Sequence, residues 1–398
     1  MEILFLAHRI PFPPDRGDKI RSFNILKHLC GLAKVHLACF ADDEADAAHL
    51  AGLRQALGGA LGDCHVEVRE ISRAAAGARA LLSGKPVSLT LFDSGAMRGF
   101  VSRILAGPEV STAFAFSGQM AQFVPAGTRL VMDFVDMDSA KFEAYAEQSG
   151  PLAAVHRREA RRLFAFERDT AARAAVSLFV SEAEADLFRT RAALPQASIR
   201  ALHNGVDLDF YRPGAVSPAP APGRPLIVFT GQMDYAPNAD AVAWFAQEVL
   251  PQIPGAHFAI VGRNPTDAVK RLAGSRVTVT GSVPDTRAWL AAADVVAAPL
   301  RIARGVQNKV LEAMAMGRPV VASPAAHEGI EAEAGRDLVV AESAEDQARA
   351  IRHLLSDPTR AAALGAAARR RMEEAYSWDA RLAPLAELIG APAQRAAA

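Results

Sequence analysis

Thirteen short apolar runs, most of them set apart by helical patterns, constrain this chain more than any other feature of it. In the first half they are Ile3–Ala7, Val35–Phe40, Val66–Ile71, Thr112–Phe116, Leu130–Phe134, Val176–Val180 and Ile199–Leu202. In the second half they are Leu226–Thr230, His257–Val261, Val277–Thr280, Val295–Ala298, Pro319–Ala322 and Leu338–Val340. Runs without polar alternation fit strands covered on both faces. Strand alternating with helix predicts parallel, doubly wound α/β sheets. At 398 residues the chain exceeds one ordinary α/β core, and two domains are expected. The break falls at Pro213–Pro225, PGAVSPAPAPGRP, where proline and glycine prevent regular structure. The predicted boundaries are 1–212, a linker at 213–225, and a second domain over 226–375. Two such domains facing each other make a cleft, and ligands of these sheets sit beyond the C-terminal strand ends.

Charge narrows the function classes. Lys plus Arg equals Asp plus Glu at 44 each, which gives no ground for a nucleic-acid partner. Cys30, Cys39 and Cys64 each lie in an apolar stretch and read as core residues in a reducing compartment. The first segment, MEILFLAHRIPF, is acidic at Glu2 and reads as a strand, not a signal peptide. No window approaches the ~18 apolar residues of a membrane span, so a cytoplasmic protein is expected. Residues 151–175 form a basic amphipathic pattern with Arg157, Arg158, Arg161, Arg162, Arg168 and Arg173. Such a helix suits peripheral contact with an anionic membrane face, or a solvated surface.

The strongest constellation is Ala293–Ser323, ADVVAAPLRIARGVQNKVLEAMAMGRPVVAS. It reads as strand, loop, helix, turn and strand, with Asn308 as N-cap of a helix Lys309–Met316 and Gly317 just past its end. A helix N-terminus offers free N–H groups and the positive dipole end, which suits a diphosphate. Gly305 permits close backbone approach, and Arg301, Arg304 and Lys309 add positive charge. Glu312 lies one turn from Lys309 on the same face and can accept from two vicinal hydroxyls, as in a ribose. Taken singly, each arginine fits a solvated surface loop better than a phosphate site; the case rests on the whole string together.

This run resembles the donor-binding region of glycosyltransferase family 4, the retaining GT-B enzymes. Together with LAHRIPFPPDRGDKIRSFNIL, VDMDSAKFEAYA, FVSEAEADLF, LHNGVDLDFYRP, TGQMDYAPNADAVAWF and GSVPD, it is similar to the sugar transferases accompanying exosortase/PEP-CTERM exopolysaccharide systems. The resemblance implies two Rossmann-like domains facing across a cleft, a nucleotide-sugar donor, and a glycan or polyprenyl-linked acceptor. It also implies a final helix over 376–392, with Trp378 as anchor, packing back on the first domain. No cofactor or metal is expected. Two departures stand out. Many relatives carry a glutamate pair, of which Glu312 matches the second, while Arg304 occupies the place of the first. A basic pair common after the first donor-domain strand is replaced by Gly231-Gln232-Met233-Asp234-Tyr235.

Other candidates are weaker on spacing alone. Gly17 could approach the donor phosphate, with Asp18 and Lys19 on the acceptor or sugar side. Asp133, Asp136 and Asp138 cluster after a strand. Asp136 is the candidate to activate an acceptor hydroxyl, with Asp138 beside it. An Asp-x-Asp metal site and helix capping by Asp138 or Ser139 are the rival readings. Arg263 and Val283, after consecutive strands, could wall the base. Asn204-Gly205 reads as a positive-φ turn. Two further functions stay open: a nucleotide-sugar epimerase on the same scaffold, and a non-catalytic nucleotide-sugar-binding subunit.

Overall fold

In the computed structural model, residues 1–69, 71–148, 150, 152–195, 198–302 and 306–390 are described. The chain divides into two compact units, Met1–Asn204 together with the chain from Arg381, and Gly205–Ala380.

The first unit holds a seven-stranded sheet of β1 (Glu2–Ala7), β2 (Lys34–Ala41), β3 (Leu61–Val68), β4 (Val110–Phe116), β5 (Leu130–Val135), β6 (Val176–Phe179) and β7 (Ile199–Ala201), in the order β3-β2-β1-β4-β5-β6-β7. The described pairings are all parallel. The order reverses between β1 and β4. Right-handed crossovers running in opposite directions then place helices on opposite faces of the sheet. This explains why β1 is apolar throughout Ile3–Ala7, each residue fully buried. The third strand departs from its prediction, starting at Leu61 rather than Val66. It is an edge strand whose residues beyond Leu61 are mostly half-buried, so an unbroken apolar run was the wrong signal for it.

The second unit repeats the plan with six strands: β8 (Leu226–Thr230), β9 (His257–Val261), β10 (Val277–Gly281), β11 (Val295–Ala298), β12 (Val320–Ala322) and β13 (Val339–Val340). Their order is β10-β9-β8-β11-β12-β13. The reversal between β8 and β11 makes the C-terminal end of β8 the switch point where doubly wound sheets bind ligands.

This unit begins at Gly205, so the proline-rich stretch lies inside it. Arg369 Nη1 explains why, donating to the carbonyls of Tyr211 and Ala315 at 2.7 and 2.8 Å. Ala219 N also donates to Ala288 O at 2.8 Å. Gly205 is not among the positive-φ glycines. It is required for close approach instead: a Cβ there would lie 2.5 Å from Trp378 Cα. In place of the single helix expected over 376–392, the chain forms two short helices, Trp378–Leu382 and Leu385–Leu388, the second opening at Pro384. In the first unit, the chain beyond Arg381 is fixed by Thr112 Oγ1 donating to Ile389 O at 3.2 Å and Arg129 Nη2 to Leu388 O at 2.9 Å. Among the described residues, no helix is long and apolar enough to cross a membrane.

Candidate functional site

At the switch point of the second unit lies a pocket of about 560 Å³. The turn after β8 contributes Gly231 and Gln232, the turn after β9 Gly262 and Arg263, and the turn after β10 Ser282 and Val283. The helix Asn308–Ala315 contributes Asn308, Lys309 and Glu312, and Tyr211, Asn238 and Thr286 add to the wall.

Two glycines shape the floor. Gly262 has φ 153°, and a Cβ on it would fall 1.6 Å from Gly231 O. The two turns are zipped by Gly231 N donating to Val261 O at 3.0 Å and Met233 N to Arg263 O at 2.9 Å. No side chain larger than hydrogen fits between them.

The helix Asn308–Ala315 enters the pocket wall N-terminus first. Its N-cap is Gln307, with no side-chain cap, and not Asn308. Val310 N already reaches back to Gln307 O at 2.9 Å, so the ladder starts one residue earlier than predicted. The amides of Asn308 and Lys309 precede the first intrahelical bond and are ready donors for an anion. Gly317, at φ 65°, closes the helix as expected. Val310, Leu311, Ala313 and Met314 are buried in the core, which leaves the Lys309 and Glu312 face turned to the pocket.

Lys309 Nζ donates to Asn238 Oδ1 at 3.0 Å and Gln307 Oε1 at 3.3 Å, and stands 5.4 Å from the Phe229 ring centre. Burial pulls its pKa down to about 8 against the attraction of Glu312. Burial raises the Glu312 carboxyl, opposed by the Tyr211 hydroxyl that hydrogen-bonds it and by Lys309. Arg263 Nη2 donates to Gln232 Oε1 at 3.0 Å, which holds the guanidinium at the rim.

The sequence-predicted residues therefore divide. Lys309, Glu312, Arg263 and Val283 come together. Arg301 does not line the pocket: its guanidinium is forked onto Asp240, Nε to Oδ2 at 2.9 Å, and is about half exposed. Arg304 and Gly305 lie outside the described residues. Tyr211 and Asn238 escaped the sequence reading, because each reaches its partner across long sequence distances that no local pattern encodes.

In the first unit the remaining candidates carry partners. Gly17 opens the helix Gly17–Leu32 and has no atom within 4 Å of a would-be Cβ. Asp18 accepts from Arg9 Nη1 at 2.8 Å, Arg16 Nε at 2.8 Å and lies 3.2 Å from His8 Nε2. Burial acts to raise its pKa, but His8 and Arg9 hold it well below the usual carboxylate range. Lys19 is buried against Asp46 at 2.6 Å. Lys141 bridges Asp136 at 2.9 Å and Asp138 at 3.0 Å. Val135, just before Asp136, sits at φ 70°, a conformation a β-branched residue rarely holds without a reason. Asp133 is fully buried and paired with the equally buried Arg21, whose Nη1 also donates to Leu202 O at 2.7 Å and Asn204 Oδ1 at 2.8 Å. Among the described residues no group of three or more His, Cys, Asp or Glu could hold a metal ion.

Residues 224–357 match the family described as Glycosyl transferases group 1. The chain is 31% identical over 217 residues to the GDP-mannose-dependent alpha-(1-6)-phosphatidylinositol monomannoside mannosyltransferase of Mycobacterium tuberculosis, covering 49% of this chain and 56% of that one. It is also 31% identical over 197 residues to the D-inositol 3-phosphate glycosyltransferase of Rhodococcus opacus, covering 44% of each. The chain thus spans about half the length of the curated relatives it matches. Among solved structures it is similar to Anabaena HepE in complex with UDP, with a TM-score of 0.61, 17% identity, and coverage of 98% of this chain and 100% of that one. It is also similar to WaaG, a glycosyltransferase involved in lipopolysaccharide biosynthesis, with a TM-score of 0.55, 16% identity, and coverage of 98% and 100%. At such identities the likeness shows the fold, here two parallel α/β sheets with GT-B neighbours. The family match is confined to residues 224–357, within the second unit.

Proposed function

We propose that the protein transfers a hexose from a nucleotide-diphosphate sugar, held in the second unit's pocket, to a glycan or lipid-linked acceptor. The observation that carries this reading is the pairing of an uncapped helix N-terminus with Lys309 and Glu312 one turn apart, at the sheet's switch point. In the proposed complex the diphosphate takes the Asn308 and Lys309 amides and the Lys309 ammonium. Glu312, oriented by Tyr211, accepts from the ribose hydroxyls, and Arg263 and Val283 flank the base.

Breaking the anomeric C–O bond puts negative charge on the diphosphate as the sugar gains oxocarbenium character. Donors fixed before the reaction stabilise that charge without reorganising. Arg301 stays in the proposal as a second cation, one that must first leave Asp240. Arg304 and Gly305 complete the proposed phosphate cradle, and Gly17 a further phosphate contact. Asp136 is the proposed acceptor-activating carboxylate, with Asp18, Lys19 and Asp138 on the acceptor side. Retention of anomeric configuration and an exopolysaccharide product rest on the family resemblance.

The acceptor reading draws on the surface of the first unit. On the helix Ala153–Arg173, Glu159 and Glu167 are buried, while Arg157, Arg161, Arg162, Arg168 and Arg173 are exposed. Arg158 ties this helix to Ala80 O at 2.8 Å, beside Leu81 and Leu82, which are 71% and 90% exposed. Basic and apolar surface side by side supports peripheral contact with an anionic bilayer.

The deciding experiment is calorimetric titration with UDP and GDP, followed by transfer assays with the sugar nucleotide of whichever binds. Lys309→Ala should lower turnover by about 10²–10³, the effect of losing one preorganised donor, with the melting curve preserved. Turnover within a few-fold of the parent removes Lys309 from the mechanism. An epimerised nucleotide sugar from donor alone would replace transfer with isomerisation.

A further inference from the structure

We infer that Asn238 is a positioning residue that fixes the aim and the charge of Lys309 by offering it a neutral acceptor. The inference rests on the pocket being a diphosphate site, and goes beyond it in naming what keeps the cation available. The Asn238 side chain is buried and held from two sides. Nδ2 donates to Gln232 O at 2.9 Å, and Oδ1 accepts from Lys309 Nζ at 3.0 Å. Its orientation is not free. Turned over, the amide would set NH₂ against the ammonium and oxygen against a carbonyl.

The carbonyl that fixes it belongs to the turn pinned by Gly231 and Gly262. A chain of contacts thus runs from the glycine pair through Gln232 O and Asn238 to the ammonium. Both acceptors on Lys309, from Asn238 and Gln307, are uncharged. They take two of its three N–H donors and neutralise none of its charge.

Among the described residues, the charged groups around Lys309 are few. Glu312, on its own helix, acts on it through space, and Tyr211 hydrogen-bonds Glu312. On the helix Ala236–Trp244, Asp240 is engaged by Arg301. Arg263 lines the same pocket. Among the described residues, a carboxylate at 238 would be the one acid in direct contact with the ammonium, and it would compete with any phosphate for it.

Substitution therefore predicts shifts of opposite sign. Asn238→Asp should raise the pKa of Lys309, and Asn238→Ala, by removing an acceptor from the charged form, should lower it further. The direct readout is the pH dependence of Lys309 acylation in the ligand-free full chain, followed by mass spectrometry. The reactive limb should move up by at least one pH unit in Asn238→Asp and down in Asn238→Ala. In parallel, UDP and GDP affinity at pH 7 should fall about tenfold or more in Asn238→Asp, the scale of a charged hydrogen bond diverted from its ligand. Asn238→Ser keeps a short oxygen acceptor and should lie between the parent and Asn238→Ala, giving a comparison if the aspartate fails to fold.

An acylation limb that stays in place across folded variants overturns the inference, since a merely structural amide would leave the titration unmoved. If neither nucleotide binds the parent, the diphosphate reading falls, while the lysine titration still decides the role of Asn238.

Discussion

Replacing Gly262 by alanine perturbs the pocket floor without touching any charged group. The new Cβ would begin 1.6 Å from Gly231 O, 2.7 Å from its carbonyl carbon, and on a backbone at φ 153°. An ordinary contact needs roughly twice the first distance, so the turns after β8 and β9 must part. Parting them breaks the bonds from Gly231 N to Val261 O and from Met233 N to Arg263 O, each contributing about 1 kcal/mol. Residual backbone strain adds about 1–3 kcal/mol, for a loss of about 3–5 kcal/mol. In a unit of this size each kcal/mol moves the midpoint by about 2–4 °C, so calorimetry should show Tm lower by about 6–20 °C. Gln232 O would move with its turn, release Asn238, and weaken nucleoside diphosphate binding in the same variant. A Gly262→Ala protein melting within 2 °C of the parent and binding UDP or GDP unchanged would refute both the strain estimate and the link from floor to lysine.

The other predictions concern charge. Glu312→Ala should abolish discrimination between a ribonucleoside diphosphate and its 2′-deoxy analogue, measured as the ratio of the two dissociation constants; a ratio unchanged from the parent removes Glu312 from the ribose. Asp240→Ala should free Arg301 and tighten diphosphate binding several-fold at low salt, with the gain reversed by adding Arg301→Ala, and no gain would leave Arg301 a surface residue. Glu167, beside Ser139 in the first unit, is raised by burial to about 8 from an ordinary 4.5. The folded form holds the proton that the unfolded form releases, so its contribution is full below pH 4.5 and disappears as pH rises through about 8. Midpoints should fall across that window, and Glu167→Gln should flatten the fall.

The elements of both sheets were legible because buried strands are written in local composition. β8, β9 and β11 appear where their apolar runs stand, residue for residue. The edge strand β3 was misplaced because an edge is only half covered and so need not be apolar throughout. At the site, the helix carrying Lys309 and Glu312 was legible from its 3.6-residue face and from Gly317. Its start was not, because Asn308 has the chemistry of a cap while the backbone places Gln307 in that role. Asn204-Gly205 has the composition of a turn, although what demands Gly205 is the backbone at Trp378. Contacts of that kind are set by packing, and the sequence around either residue is silent about them.

Charge at the site shows the same limit more sharply. The segment 301–312 presents two arginines and a lysine as though they were equivalent. The fold gives Arg301 a carboxylate, Asp240, and Lys309 two neutral oxygens. An exposed forked pair contributes little to stability, but it removes most of the positive potential that Arg301 would offer an incoming anion. Lys309, half-buried and, among the described residues, without a countercharge in contact, has the most to gain from a diphosphate. Attraction for the ligand is therefore governed by what each cation already touches and not by how many cations the loop contains. In this pocket that makes a buried asparagine, 71 residues away in the chain, as consequential as the lysine it holds.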